Sequence, residues 1–126
     1  MLKTKTKEQY DMKSKIESLP LYEKTYKFML EVIGCIETFP KNSRFTLGNR
    51  IMDNSCELVA YLALAHQNWE NPNTRQSCLE KYRVKYETVK ILIRASFEKE
   101  LISYQQQARF VQHFSNIEEC LCMQAS

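Results

Sequence analysis

The sequence predicts an all-α protein, an antiparallel up-down-up-down four-helix bundle. It has only two glycines and three prolines in 126 residues, so β-hairpins with tight turns are not expected. Apolar residues recur at spacings of three and four in four segments separated by short polar breaks. Apolar content is 44% and charged content 26%, and no apolar run approaches the roughly 18–20 residues that a membrane helix needs. Four such amphipathic helices bury their apolar faces most simply in one bundle.

Residues 1–17 are predicted to form a flexible basic arm that precedes a bundle domain at 18–126. Within residues 1–15, five lysines face only Glu8 and Asp11, which accounts for the whole net charge of +3. A basic arm favours nucleic acid or another acidic surface, and the alternative is a solvated tail. No apolar segment follows these lysines, so a secretory signal is not expected and the predicted location is cytoplasmic.

The first helix is predicted to start near Pro20, which suits a first helical turn, with Ser18 as its cap. Pro40 is expected to end it. Its predicted inward stripe follows spacings of four and three, with two more apolar residues alongside. The stripe is Tyr22, Tyr26, Met29, Ile33 and Ile36, with Phe28 and Val32 beside it.

The second helix is predicted to begin near Ser43 and to point Leu47, Ile51, Ser55, Leu58, Leu62 and Ala65 inward. Gly48 lies in this helix, where glycine costs about 1 kcal/mol relative to alanine. The glycine therefore indicates either a close approach to another helix, subunit or ligand backbone, or a slightly weakened first turn. Phe45 and Leu47 are expected to seat the corner on the core.

The third helix follows a loop at 68–74, with Asn73 or Thr74 as its expected cap. Its predicted inward residues are Leu79, Tyr82, Tyr86, Val89 and Ile93. Helical spacing places the basic residues of this helix on two flanks of that stripe. One flank holds Lys81 and Lys85; the other holds Arg83, Lys90 and Arg94.

The fourth helix is predicted to follow a break at 97–103, with Ser103 as its cap. Its predicted inward residues are Ala108, Val111, Phe114, Ile117 and Leu121. Several aromatic residues exceed what one small core needs, and they either line an oligomer interface or lie on an ordinary amphipathic surface. These residues are Tyr22, Tyr61, Tyr82 and Phe110.

No catalytic, cofactor or metal motif is present in the sequence. It lacks a Gly-rich phosphate loop, a His-Glu-x-x-His pair and a nucleophile elbow, and neither His66 nor His113 follows a glutamate by three residues. The five cysteines are an odd number and contain no Cys-x-x-Cys, so a disulfide framework and a zinc site are not expected. We therefore predict a binding protein without enzymatic activity.

The join between the first two helices, residues 39–51, is the best candidate for binding. It combines a proline and a glycine with Lys41, Arg44 and Arg50. These cations are suited to an acidic partner such as nucleic acid. The alternative is structural: Arg44 and Arg50 would pair with acidic neighbours such as Glu37 or Asp53, or with an adjacent subunit.

Two blocks of this chain resemble a known family. The blocks are Leu-Pro-Leu-Tyr-Glu-Lys-Thr-Tyr at 19–26 and Phe-Pro-Lys…Arg-Phe-Thr-Leu-Gly…Arg-Ile at 39–51. They are similar to the four-helix bundle proteins encoded in intervening sequences of bacterial ribosomal RNA genes. The closer similarity is to the accessory variability determinant (Avd) proteins of diversity-generating retroelements. The basic arm and the five cysteines depart from that pattern.

The resemblance implies a homopentamer with a basic surface that binds the reverse transcriptase of the retroelement and RNA or DNA, and that supports mutagenic reverse transcription. Nucleic-acid contacts are expected first at Lys41, Arg44 and Arg50, which match the second block. More loosely, they are expected at Lys81, Arg83 and Lys85. The alternative is a protein–protein scaffold module of the same bundle family with no nucleic-acid role.

Overall fold

The computed structural model describes residues 19–125, and side chains through residue 122. Four helical segments make up the described chain, and no strand occurs among these residues. α1 is Pro20–Ile36, and α2 runs without a break through Lys41–Ser43, Arg44–Gly48 and Asn49–Gln67. α3 is Pro72–Glu98 and α4 is Tyr104–Ala125. The all-α prediction is confirmed, whereas the predicted arm and the Ser18 cap lie outside the described residues.

The buried face of α1 differs from the predicted stripe. It consists of Leu21, Thr25, Phe28, Val32, Cys35 and Ile36. Tyr26, predicted to point inward, is 42% exposed, and Tyr22 is only half-buried. The helix is rotated by about one residue because Thr25 is drawn inward, where its hydroxyl lies 2.7 Å from the hydroxyl of Tyr82 on α3. A pattern of apolar residues does not predict that a threonine is buried.

The corner between α1 and α2 is built differently from the prediction at three points. α1 ends at Ile36, and Pro40 directly precedes α2, so the proline leads into the second helix rather than ending the first. α2 starts at Lys41, and the Ser43 side chain makes no capping hydrogen bond. Residues Arg44–Gly48 form a π-helical turn, in which one extra residue is accommodated within the helix.

Gly48 is buried at the point where α2 meets the end of α1. A Cβ atom placed on it would lie 3.1 Å from Ile36 Cγ2 and 3.5 Å from Phe39 Cδ2. Of the predicted alternatives, the structure therefore has the close approach to another helix. Phe39 is buried against this glycine, with 3% of its surface exposed, and closes the core at the corner.

The inward stripes of α2 and α3 agree with the prediction. On α2 the buried residues are Ile51, Ser55, Leu58, Leu62 and Ala65, and on α3 they include Tyr82, Tyr86, Val89 and Ile93. Leu47 and Leu79 are half-buried against the same core. The cap of α3 is Asn71, whose side-chain oxygen accepts from the Thr74 amide at 3.2 Å, and not Asn73 or Thr74.

The turn between α3 and α4 explains the position of the predicted break. Glu100 adopts a left-handed conformation with φ of 63°, and the amide of Leu101 donates to the Ser96 carbonyl, as in a Schellman motif. Ser103 then caps α4 as predicted: its hydroxyl accepts from the Gln106 amide at 3.1 Å, and the Gln106 side chain accepts from the Ser103 amide at 2.9 Å. This reciprocal pair is a capping box.

α4 buries Phe110 and Ile117, while Phe114 and Leu121 pack partly against the core. The predicted inward positions of Ala108 and Val111 are wrong, since both are exposed. Phe110 meets Phe28 edge-on, with ring centroids 5.9 Å apart, so the buried face of α4 packs on α1.

The four helices surround one core in a bundle-like arrangement. α3 packs most extensively on α2, and α1 packs on both α2 and α4. Tyr82 and Phe110 are 0% and 1% exposed, so the prediction that they are surplus to the core is wrong. Tyr82 is accommodated because Thr25 satisfies its hydroxyl. Within the described helices, none is long and apolar enough to cross a membrane.

Candidate nucleic-acid interface

The three basic residues predicted at the corner are all exposed. Lys41 and Arg44 lie on the first turns of α2, and Arg50 lies just beyond the π-helical turn. Within residues 19–122 none of these side chains forms an ion pair, a hydrogen bond or a ring contact. The alternative pairing with Glu37 or Asp53 is therefore not formed in the chain.

The second predicted group lies along a shallow groove between α2 and α3. The groove has a volume of about 320 Å³ and is lined by Tyr61, Ser77, Glu80, Lys81, Val84 and Lys85. Lys81 and Lys85 thus share one flank of α3, as predicted from their spacing. Arg83 is half-buried and does not line this groove.

Lys85 is already engaged within the chain. Its Nζ lies 2.9 Å from Glu57 Oε2, and the hydrogen bond with Glu57 raises the pKa of Lys85 above its usual value. Arg50 opposes that shift through charge repulsion. Because Lys85 is held by Glu57, it is a weaker candidate for a phosphate contact than its neighbours.

Most other basic side chains of the described region have partners. Lys27, Lys90, Arg94 and Arg109 pair with glutamates, and Arg75 lies over the Trp69 ring at 5.1 Å. Within residues 19–122, seven basic side chains have no ion pair, hydrogen bond or ring contact. They are Lys24, Lys41, Arg44, Arg50, Lys81, Arg83 and Lys99. Five of these seven belong to the predicted binding set.

Two exposed aromatic residues were missed by the prediction. Phe45, expected to seat the corner on the core, is 63% exposed, because Phe39 and Gly48 fill that position instead. Tyr104, the first residue of α4, is 85% exposed and meets Phe97 edge-on with ring centroids 5.3 Å apart. The available signal was the adjacency of an aromatic residue and a cation in Arg44-Phe45.

A second cluster, which we call the α3–α4 seam, consists of Tyr86, Lys90, Phe114 and Glu118. Glu118 Oε2 accepts from Lys90 Nζ at 2.8 Å and from the Tyr86 hydroxyl at 2.7 Å. These hydrogen bonds, first that of Lys90, hold the pKa of Glu118 below its usual value. Burial raises the pKa of Tyr86 far above the physiological range, so its hydroxyl stays a donor. All the polar groups satisfy one another, which is the arrangement of a structural cluster.

The described chain also contains free thiols and a histidine in contact with a carboxylate. All five cysteines are free, and burial raises the pKa of the Cys35 thiol to about 11, which keeps it protonated at neutral pH. His113 Nε2 lies 3.5 Å from Glu31 Oε1, in a contact between α4 and α1 that also includes Arg109. No group of three or more His, Cys, Asp or Glu residues within the described region could hold a metal ion.

Comparison with known proteins adds no relative to this description: no family model, curated protein sequence or solved structure matches the chain.

Proposed function

We propose that this chain is a non-enzymatic accessory protein, similar to the Avd proteins, that binds a reverse transcriptase and its RNA or DNA. In this proposal the helices form an antiparallel up-down-up-down bundle, and bundles associate into a cytoplasmic homopentamer with a basic surface. That assembly supports mutagenic reverse transcription. The single observation that carries the proposal is the set of five unpaired cations on α2 and α3: Lys41, Arg44, Arg50, Lys81 and Arg83.

Unpaired surface cations support nucleic-acid binding for an electrostatic reason. A lysine or arginine that meets a phosphate releases condensed counterions, and a cation already held by a carboxylate gains less from that exchange. Because these contacts go to the backbone, they give affinity without base preference. Binding is therefore expected to be tight at low salt and to fall steeply as salt is added.

The up-down-up-down order is supported by contacts between neighbouring helices. Glu57 on α2 pairs with Lys85 on α3, Tyr86 on α3 bonds to Glu118 on α4, and Glu31 on α1 pairs with Arg109 on α4. Between α3 and α4, Phe97 contacts Tyr104 and Tyr86 contacts Glu118, so later residues of α3 meet earlier residues of α4, as in antiparallel packing.

The test of nucleic-acid binding is a fluorescence anisotropy titration over a range of salt. We expect the triple variant K41Q/R44Q/R50Q to bind more weakly at low salt, and its log K against log salt slope to be shallower by about 2–3. The matched control is K24Q/K27Q/R94Q, which removes the same number of cations outside the predicted set; Lys24 is unpaired, and Lys27 and Arg94 pair with glutamates on their own helices. Absence of any affinity at low salt, or equal effects of the two variants, would contradict the proposal.

The homo-oligomer is supported by apolar side chains left exposed on α1. Tyr26 is 42% and Leu30 49% exposed, and they lie four residues apart on one face. Light scattering is expected to give a pentamer for the unmodified chain, and L30E is expected to shift it toward smaller species. A monomer at micromolar concentration would contradict this part of the proposal without affecting the binding test.

A protein–protein scaffold is the second candidate, and one observation favours it. Val84 and Ile91 are 67% and 66% exposed and lie seven residues apart on the outer face of α3. Such a pair suits an apolar partner surface. A partner that is retained after nuclease treatment and in high salt, and is lost in V84D/I91D, would favour this function over nucleic-acid binding.

A further inference from the structure

Phe45 and Tyr104 lie at the same end of the molecule. Gly48, three residues after Phe45, packs against Ile36 at the C-terminal end of α1. Arg109, five residues after Tyr104, pairs with Glu31 near that same end, at 3.1 Å. The starts of α2 and α4 therefore flank the end of α1. Since α2 and α4 both pack on α1 and neighbouring helix axes are about 8–10 Å apart, the axes of α2 and α4 are at most about 20 Å apart.

Three unpaired cations accompany these rings. Lys41 and Arg44 are in the same first turns of α2 as Phe45, and Lys99 is in the turn that leads to Tyr104. All three are exposed and have no ion pair or hydrogen bond within the described residues. Glu37 and Glu100 are exposed at this end as well, but neither pairs with them. We call the set Lys41, Arg44, Phe45, Lys99 and Tyr104 the terminal platform.

At the opposite end of the molecule, an exposed aromatic residue already has a cation as its partner within the chain. Trp69 follows α2 and is 68% exposed, but Arg75 lies over its ring at 5.1 Å and donates a hydrogen bond to its carbonyl oxygen. There, cation and ring are already bound to each other. On the terminal platform, the rings and the cations are both left available.

We propose that the terminal platform binds single-stranded nucleic acid, with bases stacked on Phe45 and Tyr104 and the intervening phosphates on Lys41, Arg44 and Lys99. The inference rests on the proposed function and specifies its ligand. Single-strand sites combine a cationic path with aromatic side chains because an unpaired base has a free face for stacking. In a duplex the bases are already stacked on one another, so the two rings gain no such contact there.

The spacing of the two helix starts that carry the rings fits this ligand. A separation of about 20 Å between these helix axes corresponds to a few nucleotides of extended single strand, within the site size of about 4–16 nucleotides known for single-strand binders. Because a base of any type offers a face, the expected preference is for strandedness and not for sequence.

The test compares a 16-nucleotide unstructured RNA with the same sequence as a duplex, by fluorescence anisotropy at low salt. We expect F45A/Y104A to lose about 100-fold in affinity for the single strand, roughly tenfold for each ring, and less than threefold for the duplex. F45W/Y104W is expected to retain single-strand binding. W69A, which removes an exposed aromatic residue at the opposite end, is the matched control and is expected to change neither affinity.

Each outcome has a separate meaning. If the unmodified protein binds neither form of RNA, the proposed function fails, and this inference fails with it. If it binds RNA but F45A/Y104A is no weaker than W69A on the single strand, or is weakened equally on both forms, the terminal platform is overturned while the proposed function stands. Should F45A/Y104A not fold, as judged by circular dichroism, F45L/Y104L keeps apolar bulk without a ring and must show the same selective loss.

Discussion

The terminal platform and the α3–α4 seam both contain cations and aromatic rings. In the seam these side chains contact one another, whereas on the platform they do not. In the seam, Lys90 Nζ lies 2.8 Å from Glu118 and 5.4 Å from the centroid of the Tyr86 ring, so charge and ring satisfy each other inside the molecule. On the platform, Lys41 and Arg44 have no such partner, and the ring of Phe45 is largely exposed. A cation beside an aromatic ring is therefore no indication of binding until its contacts are known.

The difference follows from where each cluster lies in the fold. The seam is formed where side chains from the middle of α3 meet side chains from the later part of α4, so a glutamate on α4 is brought to a lysine on α3. The platform lies at helix ends, and the first turns of α2 and α4 contain no acidic residue. The glutamates at that end, Glu37 and Glu100, form no ion pair with the cations, which leaves the cations for a partner.

The largest expected difference between the two regions is in the effect of removing a ring. Tyr86 is 2% exposed and contacts Phe114 edge-on at 5.9 Å, so Y86A is expected to lower the free energy of unfolding by about 3–5 kcal/mol. F45A is expected to change it by less than about 0.5 kcal/mol, because the ring is mostly in water. Urea denaturation measures both.

Y86F serves as the control for this pair. It keeps the ring and removes only the hydroxyl that donates to Glu118, so a loss of about 1 kcal/mol is expected. If F45A proved as destabilising as Y86A, the platform would be part of the core, and its rings would not be free to stack on a ligand.

Much of the fold was predictable because α2 and α3 bury apolar residues at regular helical spacing. Ile51, Leu58, Tyr86 and Ile93 all lie inward as the pattern indicates. The pattern failed on α1, where a hydrogen bond to Tyr82 brings Thr25 into the core. The spacing of apolar residues does not predict such a buried pair of hydroxyl groups.

The candidate site was predictable only in part, for a geometric reason. Lys41, Arg44 and Arg50 are conspicuous as charges in the sequence, and the structure leaves them exposed and unpaired. That Lys85 is held by Glu57 depends on how α2 and α3 pack, which spacing along one helix does not encode. The exposure of Phe45 depends on the packing of Phe39 on Gly48, a contact across the corner.

The two glycines provide a smaller test, with opposite expected signs. Gly34 is exposed on α1 with nothing within 4 Å of an added Cβ, so G34A is expected to stabilise the protein by about 0.5–1 kcal/mol through helix propensity. At Gly48 the added Cβ would lie 3.1 Å from Ile36, and G48A is expected to destabilise by about 1 kcal/mol despite the same gain in propensity.

Thermal and urea unfolding of the two variants, side by side, measures this contrast. The result bears on the platform because Gly48 seats the start of α2 against α1. A stabilising G48A would show that the corner is looser than the contact with Ile36 indicates, and the positions of Lys41, Arg44 and Phe45 would then be less well defined.

The smallest expected effect is the pH dependence of the seam. Hydrogen bonds from Lys90 and then Tyr86 lower the pKa of Glu118 in the folded protein, whereas the pKa of a glutamate in the unfolded chain is about 4.3. Because the pKa of Glu118 is lower in the folded protein, the unfolded chain binds a proton at a higher pH than the folded protein does. The contribution of Glu118 to stability is therefore fully present above about pH 4.3 and is lost as the pH falls through the lower, folded value. Because the side chain is 46% exposed, solvent screening limits that contribution to about 1 kcal/mol at most.

E118Q is the variant that isolates this charge, since it removes the negative charge and keeps an acceptor oxygen. The unmodified protein is expected to be more stable than E118Q at pH 7, and the difference is expected to shrink as the pH falls below about 4.3 and through the lower, folded pKa of Glu118. E119Q, next along α4 at an exposed position with no ion pair in the described chain, is the control and is expected to show no such difference. Urea midpoints from pH 3 to 7 measure both variants. If the stability difference between E118Q and the unmodified protein stayed constant over this pH range, the ion pair would contribute nothing. Packing of Lys90 on the two rings would then stabilise the seam. In that case the seam and the platform would differ in burial and not in charge.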